Sequence, residues 1–577
     1  MTDTTTNPDL KTEAVAESAV VADTSMKTGT MKMARVGDHR IVVVRTNDGF
    51  HAIDNACPHQ GYGLATGGLE GDLITCQWHN WKYRVSDGVC VVGEEDVRCH
   101  TVKVEGDEVI VEITPQSNEE KRIQLWPSFR RGIERFYPGQ IARDTVRLLA
   151  ADATPEELVA EGLRVGVPKT EWGLGHETAV SADLLTLSDG FAGTQKAIPL
   201  VQALSGIAEI TRDREQRTPP PVTAIEPTRE AFLNSIETED WAASVAALHG
   251  LLGDGDAIEK GALNTARSWF IEAVSQHHYN YGHGAIYVQK VFELLERLDP
   301  SMIEVLLSEL AMVLVYGTRE DLLPYMRKAI RLIDSLDLEA LAAAPSFTET
   351  DWANRASAVE LLLDASEAPI DELAEAVLAG AGIEGLLNIV SVAASKRMLR
   401  YDLAVEIDHD SEFGWLDMSH VLTYANAARW AWHCDPGPHT ARLAMFTAFL
   451  AFDSGRAERR IEVVAAKLPS ASPGDLYKAI REGRPQDAVA HALAGELTEV
   501  ADQLDTACLD DLGGSFIVCA HLVKMAVAAR AEAAATGSNL PLAATARLLA
   551  SPRVERFVTR EALRAIEFVE TGQPPAR

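Results

Sequence analysis

The sequence predicts a multidomain α and β protein, with an all-β domain near the N-terminus and a large all-α domain after it. Three observations carry that reading. The 577-residue chain exceeds what a single hydrophobic core usually supports. Between about 30 and 115 its apolar residues come in short β-branched runs separated by turn residues. After Gln116 the apolar period changes from two to about 3.6 and stays there.

In HRIVVVRTNDGFHAI the turn Asn47-Asp48-Gly49 stands between two strands. TVKVEGDEVIVEI repeats the design, with Val102 and Val104 before Glu105-Gly106-Asp107 and Val109 and Val111 after it. SMIEVLLSELAMVLVY shows the helical period, with Ile303, Leu306, Leu307, Leu310, Val313 and Leu314 on one stripe. TPPPV at 218 to 222, Gly253-Asp254-Gly255-Asp256 and Asp435-Pro436-Gly437-Pro438 break the helices into blocks without forming a long linker. No fixed-period repeat is evident, although a HEAT-like solenoid stays open. The expected organisation is a disordered tail over 1–20, the β-domain over 21–117 and one α-domain, in one or two lobes, over 118–577.

A formal net charge of -32 opposes binding to phosphate backbones, so nucleic acid is not expected as a partner. No stretch approaches the roughly 20 uninterrupted apolar residues of a membrane span, and no membrane association is expected. AVAESAVVA near the N-terminus contains Glu17 and lacks a basic segment closely before it, unlike a signal peptide. Seven cysteines without framework spacing point to a reducing compartment, and a cytoplasmic location is expected.

The most specific motif is Cys57-Pro58-His59, then sixteen residues, then Cys76-Gln77-Trp78-His79. It supplies two thiolates to one iron and two imidazoles to another. Zinc ribbons and fingers pair ligands as CxxC or HxxxH, and neither occurs here. The stretch CPHQGYGLATGGLEGDLITCQWHNWKYRVSDG resembles the Rieske family, including Gly61, Leu64, Gly71, Trp78, Trp81, Tyr83 and Gly88. The ligand loops lack the extra cysteines of the respiratory branch, so the resemblance is to the ferredoxin and oxygenase branch. It implies a [2Fe-2S] cluster on Cys57, His59, Cys76 and His79, used for electron transfer. Cys90, Cys99 and His100 downstream read as strand residues, with buried cysteines acting as small hydrophobes, rather than as a second site.

Ring-hydroxylating oxygenases add a β-rich catalytic domain with an Asp shortly before two histidines, and that run is not found here. The helical part nevertheless holds eleven of the sixteen histidines. In QHHYNYGHGAIYVQKVFELL, His283, Tyr287 and Lys290 share a helical stripe, and His277 precedes them across Tyr281-Gly282. GWLDMSHVLTYANA places Asp417 and His420 at i, i+3, the carboxylate-histidine spacing of helical iron proteins. His176 in GLGHETAV is a third candidate. His277, His283, His420, His176 and Asp417 are therefore the candidate metal residues. The plain alternatives are a capping or solvent-facing His277, a core His283 and a helix-capping Asp417. His409, His433, His439, His491 and His521 lack a second candidate ligand on a common face.

YGHGAIYVQKVFELL, YGTREDLLP and GWLDMSHVLTYANA resemble actinobacterial proteins that also carry an N-terminal Rieske domain, and more distantly questin oxidase-like proteins, which oxygenate polyketide rings. The resemblance implies an oxidoreductase of the non-haem iron monooxygenase kind, with mono- or dinuclear iron in the helical domain. Its partners would be an NAD(P)H-dependent reductase or ferredoxin reductase, oxygen and a small organic substrate. No GxGxxG fingerprint precedes a helix, so the reductase is expected to be a separate protein. Tyr279, Tyr281, Tyr287 and Trp415 are candidates to line an apolar pocket, although aromatics at such positions are more often core. The alternative is a Rieske electron-transfer protein whose helical domain docks a partner and holds no metal. A redox sensor is a third reading.

Overall fold

The computed structural model describes residues 16–221, 225–253, 260–346, 352–406, 414–456, 467–510 and 515–552. They form two compact units. The first takes the described residues to Gly132 together with Tyr137–Ala153; the second takes Ile133–Phe136 and those from Thr154 onward.

In the first unit, β1 (Glu17–Asp23), β2 (Thr30–Val36), β3 (His39–Arg45), β4 (Phe50–Asp54), β9 (Cys99–Glu105) and β10 (Glu108–Ile113) form one sheet. Its strand order is β1-β10-β9-β4-β3-β2. The second sheet, in order β5-β6-β7-β8, uses β5 (Gly68–Glu70), β6 (Leu73–Thr75), β7 (Lys82–Arg84) and β8 (Cys90–Val92). Both expected hairpins form, with Val43 opposite Ala52 and Val102 opposite Val111. Successive side chains on a strand point to opposite faces, so β3 feeds two cores. Val42 and Val44 pack with Ile53, Ile74, Tyr83 and the two motif cysteines. Ile41 and Val43 pack with Val36, Val109 and Val111.

Two expected boundaries move. Residues Glu17 to Val20, assigned to a tail, belong to β1, which pairs with β10 and buries Val21. Ala19 pairs with Val111, and a bulge at Val21 shifts the register so that Ala22 pairs with Val109. The first unit also extends past 117 to include most of α1 (Asn118–Glu134) and all of α2 (Pro138–Ala150). Tyr137, at the N-terminus of α2, packs on the core that holds Cys57 and Cys76.

The second unit is helical throughout its described length. Ile303–Tyr316 buries the predicted stripe and also Ala311, Met312 and Val315, as a central helix does. Ile370–Arg400 is long and apolar enough by length and composition to cross a membrane, which corrects the expectation that no stretch comes near. Its most apolar window is 61% buried inside the protein, and Gly380, with φ 118°, interrupts it, so it serves as a core helix.

Candidate metal centres

Cys57 and His59 sit on the loop after β4, and Cys76 and His79 on the loop between β6 and β7. Each loop closes on itself: Cys57 N–H donates to Tyr62 O at 2.8 Å and Cys76 N–H to Trp81 O at 2.7 Å. Gly61, with φ 76°, makes the first turn possible. Both cysteines are buried, whereas His59 is partly exposed and His79 exposed. The two imidazole rings meet edge-on with centroids 4.5 Å apart, and His59 stacks on Trp81 at 4.6 Å. Burial pushes the Cys57 thiol up, and Tyr83, whose hydroxyl is 3.1 Å from Sγ, counters that by donating to the thiolate. Burial, Arg143 and His79 together hold His59 below its ordinary value, in the neutral form a ligand needs. This donor set, with sulfur inside and imidazole at the outer edge, fits a two-iron cluster with unlike irons.

A second centre lies in the helical unit. His176, His283, His420 and His521 bring one ring nitrogen each within 4.8 Å of one another. His283 Nε2 lies 3.1 Å from His176 Nε2, and His420 Nε2 lies 2.9 Å from His521 Nε2. His176 and His283 are the first residues of the helices His176–Ser188 and His283–Leu295, each after a glycine. His420 and His521 project from inside Trp415–Cys434 and Phe516–Thr536. The opposite ring edges of three of them are fixed. His521 Nδ1 donates to Ile517 O at 2.6 Å, His283 Nδ1 donates to Asn280 O, and His176 Nδ1 pairs with Tyr287 Oη at 2.9 Å. A carbonyl only accepts, so His283 and His521 carry their protons on Nδ1 and turn a bare Nε2 inward. Burial holds all four imidazoles neutral, His283 down at about 3.

Lys524, one turn beyond His521, is fully buried, and among the described residues its Nζ has no hydrogen-bond partner. Burial pulls its ammonium down to about 7. Asp183, which burial raises to about 6, is 2.8 Å from Lys290 Nζ. A cavity of about 250 Å³ between these helices and Ala197–Thr211 is lined by Val180, Leu184, Ser205, Phe516, Cys519 and Val523, among others.

Residues 17–105 match the Rieske [2Fe-2S] domain. The ferredoxin component of an alkene monooxygenase system from Xanthobacter autotrophicus is 32% identical over 93 residues, which are 16% of this chain and 76% of that protein. The chain belongs to the Rieske [2Fe-2S] family. The ferredoxin component of biphenyl 2,3-dioxygenase from Rhodococcus jostii is 29% identical over 17% of this chain and 94% of its own length. Cholesterol 7-desaturase from Xenopus laevis is 39% identical over 11% of this chain and 14% of its own length. These likenesses cover the Rieske domain alone.

Outside the Rieske domain, the structure brings together three of the five predicted metal residues, His176, His283 and His420, and adds His521, which had been set aside. His277 is elsewhere: its Nδ1 pairs with Asp321 at 2.7 Å and its Nε2 with Glu237 at 2.9 Å. Asp417 accepts from Gly414 N–H at the start of its helix and pairs with Arg456 at 3.1 Å, so it caps the helix rather than facing His420. Tyr281 stacks beside His420, with ring centroids 6.4 Å apart, and Tyr287 touches His176. Tyr279 and Trp415 are core, Trp415 lying against Tyr401 and Arg547. Lys290 is drawn to Asp183 and Glu293. Cys90 and Cys99 are free thiols that burial pushes up to about 12 and about 11, and His100 pairs with Asp54. His409 lies outside the described residues.

Proposed function

We propose that this Rieske protein is a non-haem iron oxygenase. Electrons from a separate NAD(P)H-dependent reductase or ferredoxin reductase enter the Rieske domain and serve an iron held by His176, His283, His420 and His521. The observation that carries this reading is the convergence of four neutral imidazoles, three of which, His176, His283 and His521, have their outward nitrogens already tied. When bound, the [2Fe-2S] cluster supplies one-electron transfer and the iron supplies reductive activation of oxygen.

The chain's own residues do the rest. Cys57, His59, Cys76 and His79 hold the cluster, and the Tyr83 hydroxyl stabilises the Cys57 thiolate. Asn280 O and Ile517 O fix the tautomers of His283 and His521, and Tyr287 orients His176. Lys524 holds a proton at Nζ that it can release near neutral pH, beside a reaction that consumes protons. The cavity, lined by Phe516 and Val523 on one hand and Gln202, Ser205 and Glu209 on the other, suits a small organic substrate with polar groups.

The match to two ferredoxin components, over 76% and 94% of their lengths, favours a second reading, an electron carrier with a metal-free helical unit. Iron and acid-labile sulfide analysis separates the two. The oxygenase reading expects about three irons per two sulfides, falling to two in His521→Ala and His283→Ala with the Rieske paramagnetic resonance signal retained. A wild-type ratio of two to two overturns it.

A further inference from the structure

Helix α2 lies beyond the stretch that matches the family, yet it belongs to the same compact unit as the cluster loops. Arg147 on α2 donates from Nη2 to the carbonyl of Pro58 at 2.8 Å. Pro58 is the residue between ligands Cys57 and His59. The other arm of the same guanidinium pairs with Glu95 and, at 3.0 Å, with Asp144. One turn earlier, Arg143 donates from Nε to the same Glu95 carboxylate at 2.8 Å. The carboxylates at the centre of this network are buried, Glu95 at 3% exposure, while Arg147 reaches the surface at 36%.

We propose that Arg147 is a positioning residue for the [2Fe-2S] centre, clamping the first ligand loop and raising its reduction potential, with Arg143 adding charge and Glu95 tempering both. Reduction adds one negative charge to the group held by Cys57, His59, Cys76 and His79. A fixed cation on that loop favours the reduced form, and a fixed anion opposes it. Salt screens the buried Glu95 carboxylate little and the part-exposed Arg147 guanidinium more. The planar fork matters as well as the charge, because one guanidinium bonds the loop carbonyl and the Glu95 carboxylate at once. The inference does not depend on any metal in the helical unit.

The test is a redox titration of the full holo-protein, followed by the paramagnetic resonance signal of the reduced cluster. Arg147→Gln should lower the reduction equilibrium about tenfold, which is about 59 mV for one electron. Arg147→Lys should recover part of that, since it keeps charge and loses the fork. Arg143→Gln keeps the loop hydrogen bond and should fall by less; it carries the test if Arg147→Gln loses its cluster. Glu95→Gln should move the potential upward. Opposite signs for the arginine and glutamate variants distinguish electrostatic tuning from a loosened loop. Unchanged potentials in the arginine variants, or a downward shift in Glu95→Gln as well, overturn the proposal.

Discussion

His277 and His521 illustrate how a histidine's neighbours decide its task. His277 lies between Asp321 and Glu237. Burial alone would favour its neutral form, but the hydrogen bond and charge of Asp321, with Glu237 behind it, hold its pKa above the ordinary value. A raised folded-state pKa stabilises the fold fully below the unfolded value of about 6.5 and loses that contribution as pH rises through the folded value. His277→Gln should therefore lower stability by on the order of 1–3 kcal/mol below about pH 6.5, above the carboxylate range. Melting curves across pH should show the gap to wild type closing toward alkaline pH, with iron content unchanged throughout. A pH-independent gap, or lost iron, would contradict this assignment. His521 was not legible because FIVCAHLVKMAV is apolar around the whole helix, and its nearest ring partner, His420, is 101 residues away. Lys524, one turn on, was the only local signal of an unusual interior.

At the scale of elements, two helices begin with a histidine that follows a glycine, Gly175-His176 and Gly282-His283. The second is approached through three successive left-handed residues, Asn280, Tyr281 and Gly282, with φ of 45°, 54° and 90°. Such backbone is costly for the first two, and surrounding bonds hold it: Asn280 N–H to Thr318 O at 3.1 Å and Tyr281 N–H to Glu320 at 3.2 Å. A Cβ on Gly282 would meet the Tyr424 ring at 2.4 Å. Gly282→Ala should destabilise by on the order of 1–3 kcal/mol from overpacking alone, and it should displace His283. Calorimetry paired with iron analysis checks both, and full iron with a normal melting temperature would show that the turn does not position the ligand. The hairpins were legible because Asp48-Gly49 and Gly106 announce their turns. This turn was not, since two of its three left-handed residues are ordinary side chains held by partners some forty positions away.

At the scale of the whole molecule, the change of period after Gln116 marked the switch from strand to helix but not the edge of the folded unit. Periodicity reports the structure of a segment, whereas a domain edge depends on where the segment packs. α2 is helical by sequence, yet Tyr137 packs on the β core and Arg147 bonds the cluster loop. At the other end, Glu17 to Ala19 pair with Ile113 to Val111. A piece spanning 20–118 therefore loses strand pairs, the apolar contact of Tyr137 and the arginine clamp, while 16–153 keeps all three. Uncovering the seat of the partly buried Tyr137 alone should lower stability by on the order of 1 kcal/mol. Glu95, freed from both arginines, would gain water in exchange, so its release adds less than the loss of a buried partner would. Both pieces should be reconstituted with iron and sulfide and compared by denaturant melts and by retention of the reduced-cluster signal. The longer piece should hold its cluster and melt later, and the shorter should shed iron on dilution. Equal midpoints and equal retention would place the edge of the unit back at the end of β10 and leave α2 a neighbour rather than a part of it.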